Sequence, residues 1–174
     1  MPSNMLRWTV ADTAVGPALV VVGPAGVREV RLRETLPSAP DATDGAMPEP
    51  PLGSVRDDAG LADVAAAVRD LVRGARRDFP FPLDLSGHAS FYRRVWEELL
   101  HIPWGTTATY GEIARRVGSG PQASRAVGQA CGRNPLAIVV PCHRVLAANG
   151  ALGGYGGGLQ VKRRLLAVEG VSVA

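Results

Sequence analysis

A thiol, an imidazole and a guanidinium stand in direct succession at Cys142-His143-Arg144, behind Pro141 and the apolar run Ala137-Ile138-Val139-Val140. A thiol is a nucleophile as its thiolate, and an unperturbed Cys, with a pKa of about 8.5, is only a few per cent ionised at neutrality. A neighbouring His that accepts the proton, with positive charge beyond it, favours the ionised form. The apolar run reads as a short strand. Pro141 ends it, having no N–H to give to a ladder, and turns Cys142 out of it. A buried structural Cys beside an incidental His fits the same four residues, so the pair alone leaves both readings open.

The segments that must hold this cluster are mainly helical. Ser90 is placed to cap a helix with Phe91, Val95 and Leu99 on one face, which Pro103-Trp104-Gly105 breaks. Thr109-Tyr110-Gly111-Glu112 has the form of a capping box, in which the Thr hydroxyl and the Glu three residues on satisfy each other's free backbone donors. That helix runs to about Val117 and stops at Gly118-Ser119-Gly120-Pro121, and a second follows over 122–132. Two short helices across a Gly-containing turn make a helix-turn-helix pattern, which helical hairpins of no DNA-binding function share. The second helix is built from the small residues Ala123, Ser124, Ala126, Gly128, Ala130 and Gly132, with Arg125 and Gln129 as its long polar side chains. So little bulk allows close approach to another surface. An Arg projecting from such a face can reach into a nucleic acid or fill a gap in a base stack.

Residues 1–85 have a different texture. Strands are expected over 6–10, 18–22 and 27–32, with turns at Gly16-Pro17 and at Gly23-Pro24-Ala25-Gly26. Residues 37–60, rich in Pro and Asp and without periodicity, read as a mobile loop, and Leu61, Val64, Val68, Leu71 and Val72 recur at helical spacing. Ser86-Gly87 marks a boundary. The expected fold class is therefore α+β, with a small sheet-plus-helix domain over 1–85 and a mainly helical domain over 86–174 carrying the thiol.

Charge divides along the same line. Residues 1–85 hold nine Arg against twelve Asp and Glu, and residues 86–174 hold ten Lys and Arg against four Glu. A basic half around the thiol suggests a polyanionic partner for that half. The single Lys among 19 basic residues reflects a GC-rich genome, and no function is read from it. Two cysteines, with His88, His101 and His143 as the only histidines, offer neither a disulfide framework nor a zinc spacing, so no metal is expected. The amino terminus has no apolar signal core and no run is long enough to span a bilayer. A cytoplasmic protein, independent of membranes, is expected.

The segment 90–170 resembles the O6-alkylguanine-DNA alkyltransferases, also called methylated-DNA–protein-cysteine methyltransferases. The matching pieces stand in order: Pro103-Trp104-Gly105, Tyr110-Gly111-Glu112-Ile113-Ala114, Ser124-Arg125-Ala126-Val127-Gly128, Asn134-Pro135, Pro141-Cys142-His143-Arg144-Val145, Gly153-Gly154-Tyr155-Gly156-Gly157-Gly158-Leu159 and Leu165-Leu166-Ala167-Val168-Glu169-Gly170. Six or more such pieces over some eighty residues are specific, whereas 1–85 resembles the family's variable first domain in outline only.

The resemblance implies single-turnover repair by direct reversal. Cys142 would take the alkyl group from O6-alkylguanine, and from O4-alkylthymine, and keep it as a thioether. His143 would take the thiol proton through a water, held by Glu169, with Tyr110 donating to the leaving guanine and Asn134 bracing the turn before the nucleophile. The duplex would be met in its minor groove, with the damaged nucleotide flipped out. Arg125 would fill the vacated stack, and Tyr110, Ala123, Ser124, Gly128 and Arg133 would be further DNA contacts. Pro141, Val145, Tyr155 and Gly156 would form the base pocket, and Gly156, where many relatives carry Ser, would loosen it. No cofactor and no obligate protein partner are implied, and a monomer is expected. Arg94, Arg115, Arg116, Arg133, Arg144 and Lys162-Arg163-Arg164 are candidates for phosphate contacts or surface solvation, and Cys131 for packing. Two other classes remain: a non-catalytic lesion-binding or regulatory DNA-binding protein, and a cysteine hydrolase or redox sensor. The last lacks an oxyanion-hole or resolving-Cys signature and leaves Arg125 and Tyr110 without a role.

Overall fold

The computed structural model describes residues 5–32 and 48–173, which divide into two compact units. The first comprises Met1–Leu85 with Pro135–Val139, and the second Ser86–Asn134 with Val140–Ala174.

In the first unit, β1 (Arg7–Thr13), β2 (Gly16–Gly23) and β3 (Gly26–Leu32) form an antiparallel meander, and β4 (Val55–Arg56) adds in parallel to β1, in the order β3-β2-β1-β4. The continuous apolar run of β2 marks it as the inner strand, and Ala18, Leu19, Val20 and Val21 are fully buried. Helix α1 (Ala62–Val72) packs against β1 and buries Val64, Ala65, Val68, Leu71 and Val72, a stripe at the spacing of one helical face. The outer edge of β3 is covered rather than left open. Val27 N donates to Pro82 O (2.9 Å) and Val30 N to Pro135 O (2.8 Å), while Asp84 and Ala137 return hydrogen bonds to the carbonyls of Val27 and Val30. Pairing those groups removes a template for edge-to-edge association. Gly26 is required here: its φ is +137°, and a Cβ would lie 2.3 Å from the Pro82 carbonyl oxygen.

Two expectations are corrected in this unit. Of the loop expected at 37–60, residues 37–47 lie outside the described residues. Residues 48–60 are tied down instead: Val55 N bonds Leu6 O, Asp57 pairs with Arg7 at 2.9 Å, and Thr9 Oγ1 donates to Asp58 at 2.8 Å. A two-residue strand carries no periodicity, so pattern reading passes over it. The run 137–140 forms turns and no strand, with Ile138 at φ +73°, and no ladder exists for Pro141 to end.

In the second unit, α2 (Ser90–Leu99) buries Val95, Trp96 and Leu99, and Trp96 Nε1 donates to Ala130 O at 2.8 Å. Ser90 is its first residue, with Ala89 at the N-cap and no side-chain cap bond. A strand β5 (Ala108–Thr109) leads into α3 (Tyr110–Arg116), and the expected capping box is present, Thr109 and Glu112 each accepting from the other's backbone N–H. A 3-10 turn at Pro121–Ala123 takes over the first residues of the helix expected over 122–132, leaving α4 as Ser124–Gly132. The strand β6 (Val145–Leu146) follows the nucleophile rather than preceding it and pairs in parallel with β5, so the starts of α3 and of the post-nucleophile segment are fixed together. Helix α5 (Leu159–Val168) closes the unit, burying Val161, Lys162, Leu165 and Leu166. Among the described residues no helix is long and apolar enough to cross a membrane, and no group of three or more His, Cys, Asp or Glu could hold a metal ion.

Candidate active site

Cys142, His143 and Arg144 form one 3-10 turn, in which Arg144 N donates to Pro141 O at 3.0 Å, and Cys142 N donates to Val140 O at 2.8 Å just before it. The tight turn sends successive side chains in different directions. The sulfur of Cys142 faces a cavity of about 710 Å³, whereas His143 and Arg144 point into the protein and are 2% and 8% exposed. Both meet Glu169, the residue that follows α5. His143 Nε2 lies 2.8 Å from Glu169 Oε1, and Arg144 reaches the same carboxylate from Nε (2.9 Å to Oε2) and from Nη2 (3.0 Å to Oε1). Arg144 Nη1 also donates to Ile102 O at 2.6 Å, and its guanidinium lies over the Trp104 ring. Gly105 N donates to Glu169 Oε2 at 3.2 Å.

These contacts fix protonation states. Burial alone would raise the Glu169 pKa, but the hydrogen bonds and charges of His143 and Arg144 win and hold it down at about 2. An ionised carboxylate only accepts, so the Nε2 of a neutral His143 carries the proton and Nδ1 keeps its lone pair. Burial also pushes the His143 pKa below the usual imidazole value, against the pull of Glu169. At neutral pH the ring is an acceptor at Nδ1, and that atom has no hydrogen-bond partner among the described residues.

Burial pushes the Cys142 thiol up, and the Asn134 hydrogen bond and the Lys162 charge act the other way. Asn134 Nδ2 donates to Cys142 Sγ at 3.2 Å and to Val140 O at 2.9 Å, tying the nucleophile to the end of α4. Tyr110, first residue of α3, is raised to about 12 by burial and by the nearby thiols, so its phenol stays protonated and can donate. Its ring rests on α4 at Gly128, where an added Cβ would come within 3.9 Å of it.

The cavity wall is made by Tyr110, Ser124, Arg125, Gly128, Cys142 and the Gly154-Tyr155-Gly156 segment, with Gln129, Cys131 and Gly132 from the far end of α4. Arg125, Gln129 and Gly132 are the wall residues on α4 that are exposed to solvent. Ala123 lies in the 3-10 turn, and Ser124 Oγ bonds back to Pro121 O. Arg133 sits over the Tyr92 ring at 5.7 Å. Pro141 and Val145, expected in the pocket, are buried and are not among the residues that line this cavity. Arg144 and Lys162, expected as phosphate contacts or solvated side chains, are instead buried and hydrogen-bonded. Lys162 had a legible signal: it falls on the apolar stripe of Val161, Leu165 and Leu166. Arg144 had none, since its carboxylate partner is 25 residues away. Cys131, read as packing, is half-buried and shares the cavity with Cys142.

Comparison with known proteins is consistent across sequence and structure. Residues 90–171 match the family described as 6-O-methylguanine DNA methyltransferase, DNA binding domain. The methylated-DNA–protein-cysteine methyltransferase of Mycolicibacterium paratuberculosis is 57% identical over 96 residues, which are 55% of this chain and 57% of that one. That match therefore spans little more than half of the relative's length. The protein of the same name from Methanosarcina acetivorans is 36% identical over 165 residues, 95% of this chain and 99% of that one. The crystal structure of Mycobacterium tuberculosis OGT in complex with DNA is similar with a TM-score of 0.74 at 36% identity, covering 95% of this chain and 92% of that one. With a relative matched over nearly its whole length and an α+β fold shared with these structures, the chain belongs to the methylated-DNA–protein-cysteine methyltransferase family.

Proposed function

We propose that this protein repairs alkylated DNA by direct reversal, Cys142 taking the alkyl group from O6 of guanine, or O4 of thymine, and keeping it as a thioether. The observation that carries the reading is the buried His143–Glu169 pair at 2.8 Å, which leaves Nδ1 as an acceptor on the residue that follows a Cys lining a cavity. Nδ1 takes the thiol proton by way of one water molecule, and Glu169 stabilises the imidazolium that results. The thiolate displaces the alkyl carbon in line. The sulfur–carbon bond forms as the carbon–oxygen bond breaks, and the electron pair passes to the guanine. The Tyr110 phenol, protonated at neutral pH, supplies a hydrogen bond where that charge develops. A thioether does not leave again, so each molecule acts once.

The target carbon is inaccessible inside a duplex, and extruding its nucleotide costs a few kcal/mol. Helix α4, with its small residues, suits a minor groove about 6 Å wide. Arg125, exposed on the cavity wall, is in reach of the gap left in the stack. Arg133, Ala123, Ser124 and Gly128 are the accompanying contacts, and Asn134 holds the sulfur in position. A DNA complex of the Mycobacterium tuberculosis relative supports the choice of partner. A cytoplasmic location accompanies the reading.

The test is intact mass after mixing with duplex DNA containing O6-methylguanine. A stoichiometric gain of one methyl on Cys142, abolished by Cys142→Ser while DNA binding persists, is the expected result. Unchanged mass with retained binding would mean a lesion-binding or regulatory protein instead.

A further inference from the structure

The chain has two cysteines, and the fold brings both to one cavity. Their spacing along the sequence has no redox form. Cys131 is the penultimate residue of α4, Cys142 begins the 3-10 turn, and both are free thiols in this structure. One residue joins them: Asn134 N donates to Cys131 O at 3.2 Å, and Asn134 Nδ2 donates to Cys142 Sγ at 3.2 Å. The charge of Cys142 acts on the Cys131 thiol, and both sulfurs act on the Tyr110 phenol, so the two thiols lie within electrostatic reach of each other.

A sulfur that is nucleophilic toward carbon is nucleophilic toward a peroxide as well. The first product, a sulfenic acid, has two fates. Further peroxide takes it to sulfinic acid, which ordinary thiols do not reverse, whereas condensation with a nearby thiol gives a reducible disulfide. Burial pushes the Cys131 thiol up, and the charge of a Cys142 thiolate adds to that. A neutral sulfenic acid at Cys142 removes the second contribution, so Cys131 ionises more readily at the step where it must attack. A disulfide also needs its two Cα atoms within about 7 Å, so the backbone must be able to adjust. Cys131 stands in the last turn of α4, where helices fray, and an added Cβ on the adjacent Gly132 would meet nothing within 4 Å.

We propose that Cys131 is a resolving thiol for Cys142: a hydroperoxide converts the pair to an internal disulfide, which withdraws the nucleophile in a form that a reductant returns. The Cys142 thiolate attacks the peroxide, the oxygen–oxygen bond breaks, and the departing oxygen leaves with the former thiol proton. The Cys131 sulfur then attacks the sulfenic sulfur, the sulfur–oxygen bond breaks, and hydroxide leaves with the Cys131 proton as water. Two thiols together give up two electrons, and one peroxide is reduced. The device needs a reactive Cys142 and goes beyond the alkyltransfer reading.

The reduced full-length protein is treated with one equivalent of hydrogen peroxide, unfolded in N-ethylmaleimide and weighed intact. The expected product is a monomer lighter by two hydrogens and free of maleimide, with tryptic peptides 126–133 and 134–144 joined. Dithiothreitol should restore both thiols. Cys131→Ser, with folding checked by Tm, should instead carry Cys142 on to sulfinic acid that dithiothreitol does not reverse. Wild-type protein with sulfinic acid at Cys142 and maleimide on Cys131 overturns the proposal, as does a disulfide-linked dimer in place of the internal bond. A folded Cys131→Ser protein whose Cys142 is recovered as fully as in wild type overturns it too. Should that variant fail to fold, the wild-type products decide by themselves. An internal disulfide in a protein that takes no methyl from O6-methylguanine duplex would remove the alkyltransfer reading and leave the resolving role supported.

Discussion

Replacing Glu169 by Gln tests the site at the residue on which three others converge. The carboxylate accepts from His143 Nε2 at 2.8 Å, from Arg144 at 2.9 to 3.1 Å and from Gly105 N at 3.2 Å, with a side chain only 3% exposed. Gln keeps the shape and one acceptor but leaves the Arg144 guanidinium buried without a counter-charge. Breaking a buried pair from one side costs about 3 to 5 kcal/mol. For a unit of this size that corresponds to a fall in Tm of roughly 10 °C or more. Chemistry should suffer separately, since the amide can donate to Nε2 and turn the tautomer around, leaving no lone pair at Nδ1. A general base contributes about 10²- to 10⁴-fold, so single-turnover methyl transfer should slow by about 10² or more in the fraction that stays folded. Thermal denaturation followed by circular dichroism and rapid-quench transfer from O6-methylguanine duplex measure the two effects. Arg144→Met added to Glu169→Gln should recover part of the stability and none of the rate. A Glu169→Gln protein within a degree or two of wild-type Tm, or transferring methyl at the wild-type rate, would refute the account of the carboxylate as both counter-charge and tautomer lock.

Other expectations follow from single contacts. Asn134→Ala deletes the N–H donor 3.2 Å from the sulfur, so the midpoint for carbamidomethylation of Cys142 by iodoacetamide should move to higher pH, with loss of a charge-assisted hydrogen bond of about 1.5 kcal/mol or more. Because the His143 pKa is held below its usual value, transfer should stay level as pH falls through the ordinary imidazole range and drop only below it. The linkage has the same sign: an unfolded chain binds the proton first, so the His143 contribution to stability is full above the unfolded pKa of about 6.5 and shrinks as pH falls. Chemical denaturation at a series of pH values measures it. In the first unit, Gly26→Ala forces a Cβ to within 2.3 Å of Pro82 O at φ +137°, which should cost about 2 kcal/mol or more, read as a lower denaturation midpoint.

Much of the chemistry was written along the chain, because it depends on neighbours in sequence or on periodicity. Cys142-His143, the Thr109–Glu112 cap, the inner strand β2 and the stripe of α1 are local patterns, and local physics decides them. The family resemblance rests on the same property, since short runs such as Pro141-Cys142-His143-Arg144-Val145 keep their spacing. What the tertiary structure alone decided is the fate of residues whose partners are distant. Arg144 reads as a solvated cation until Glu169, 25 residues on, closes on it. Lys162 reads as part of a basic run until three carbonyls converge on it. The apolar run 137–140 has strand composition, yet it forms turns, with Leu136 bridged to Val30. Burying a charge is expensive unless partners meet it in the right directions. Whether they do is a fact of packing in three dimensions, which spacing along one dimension does not carry.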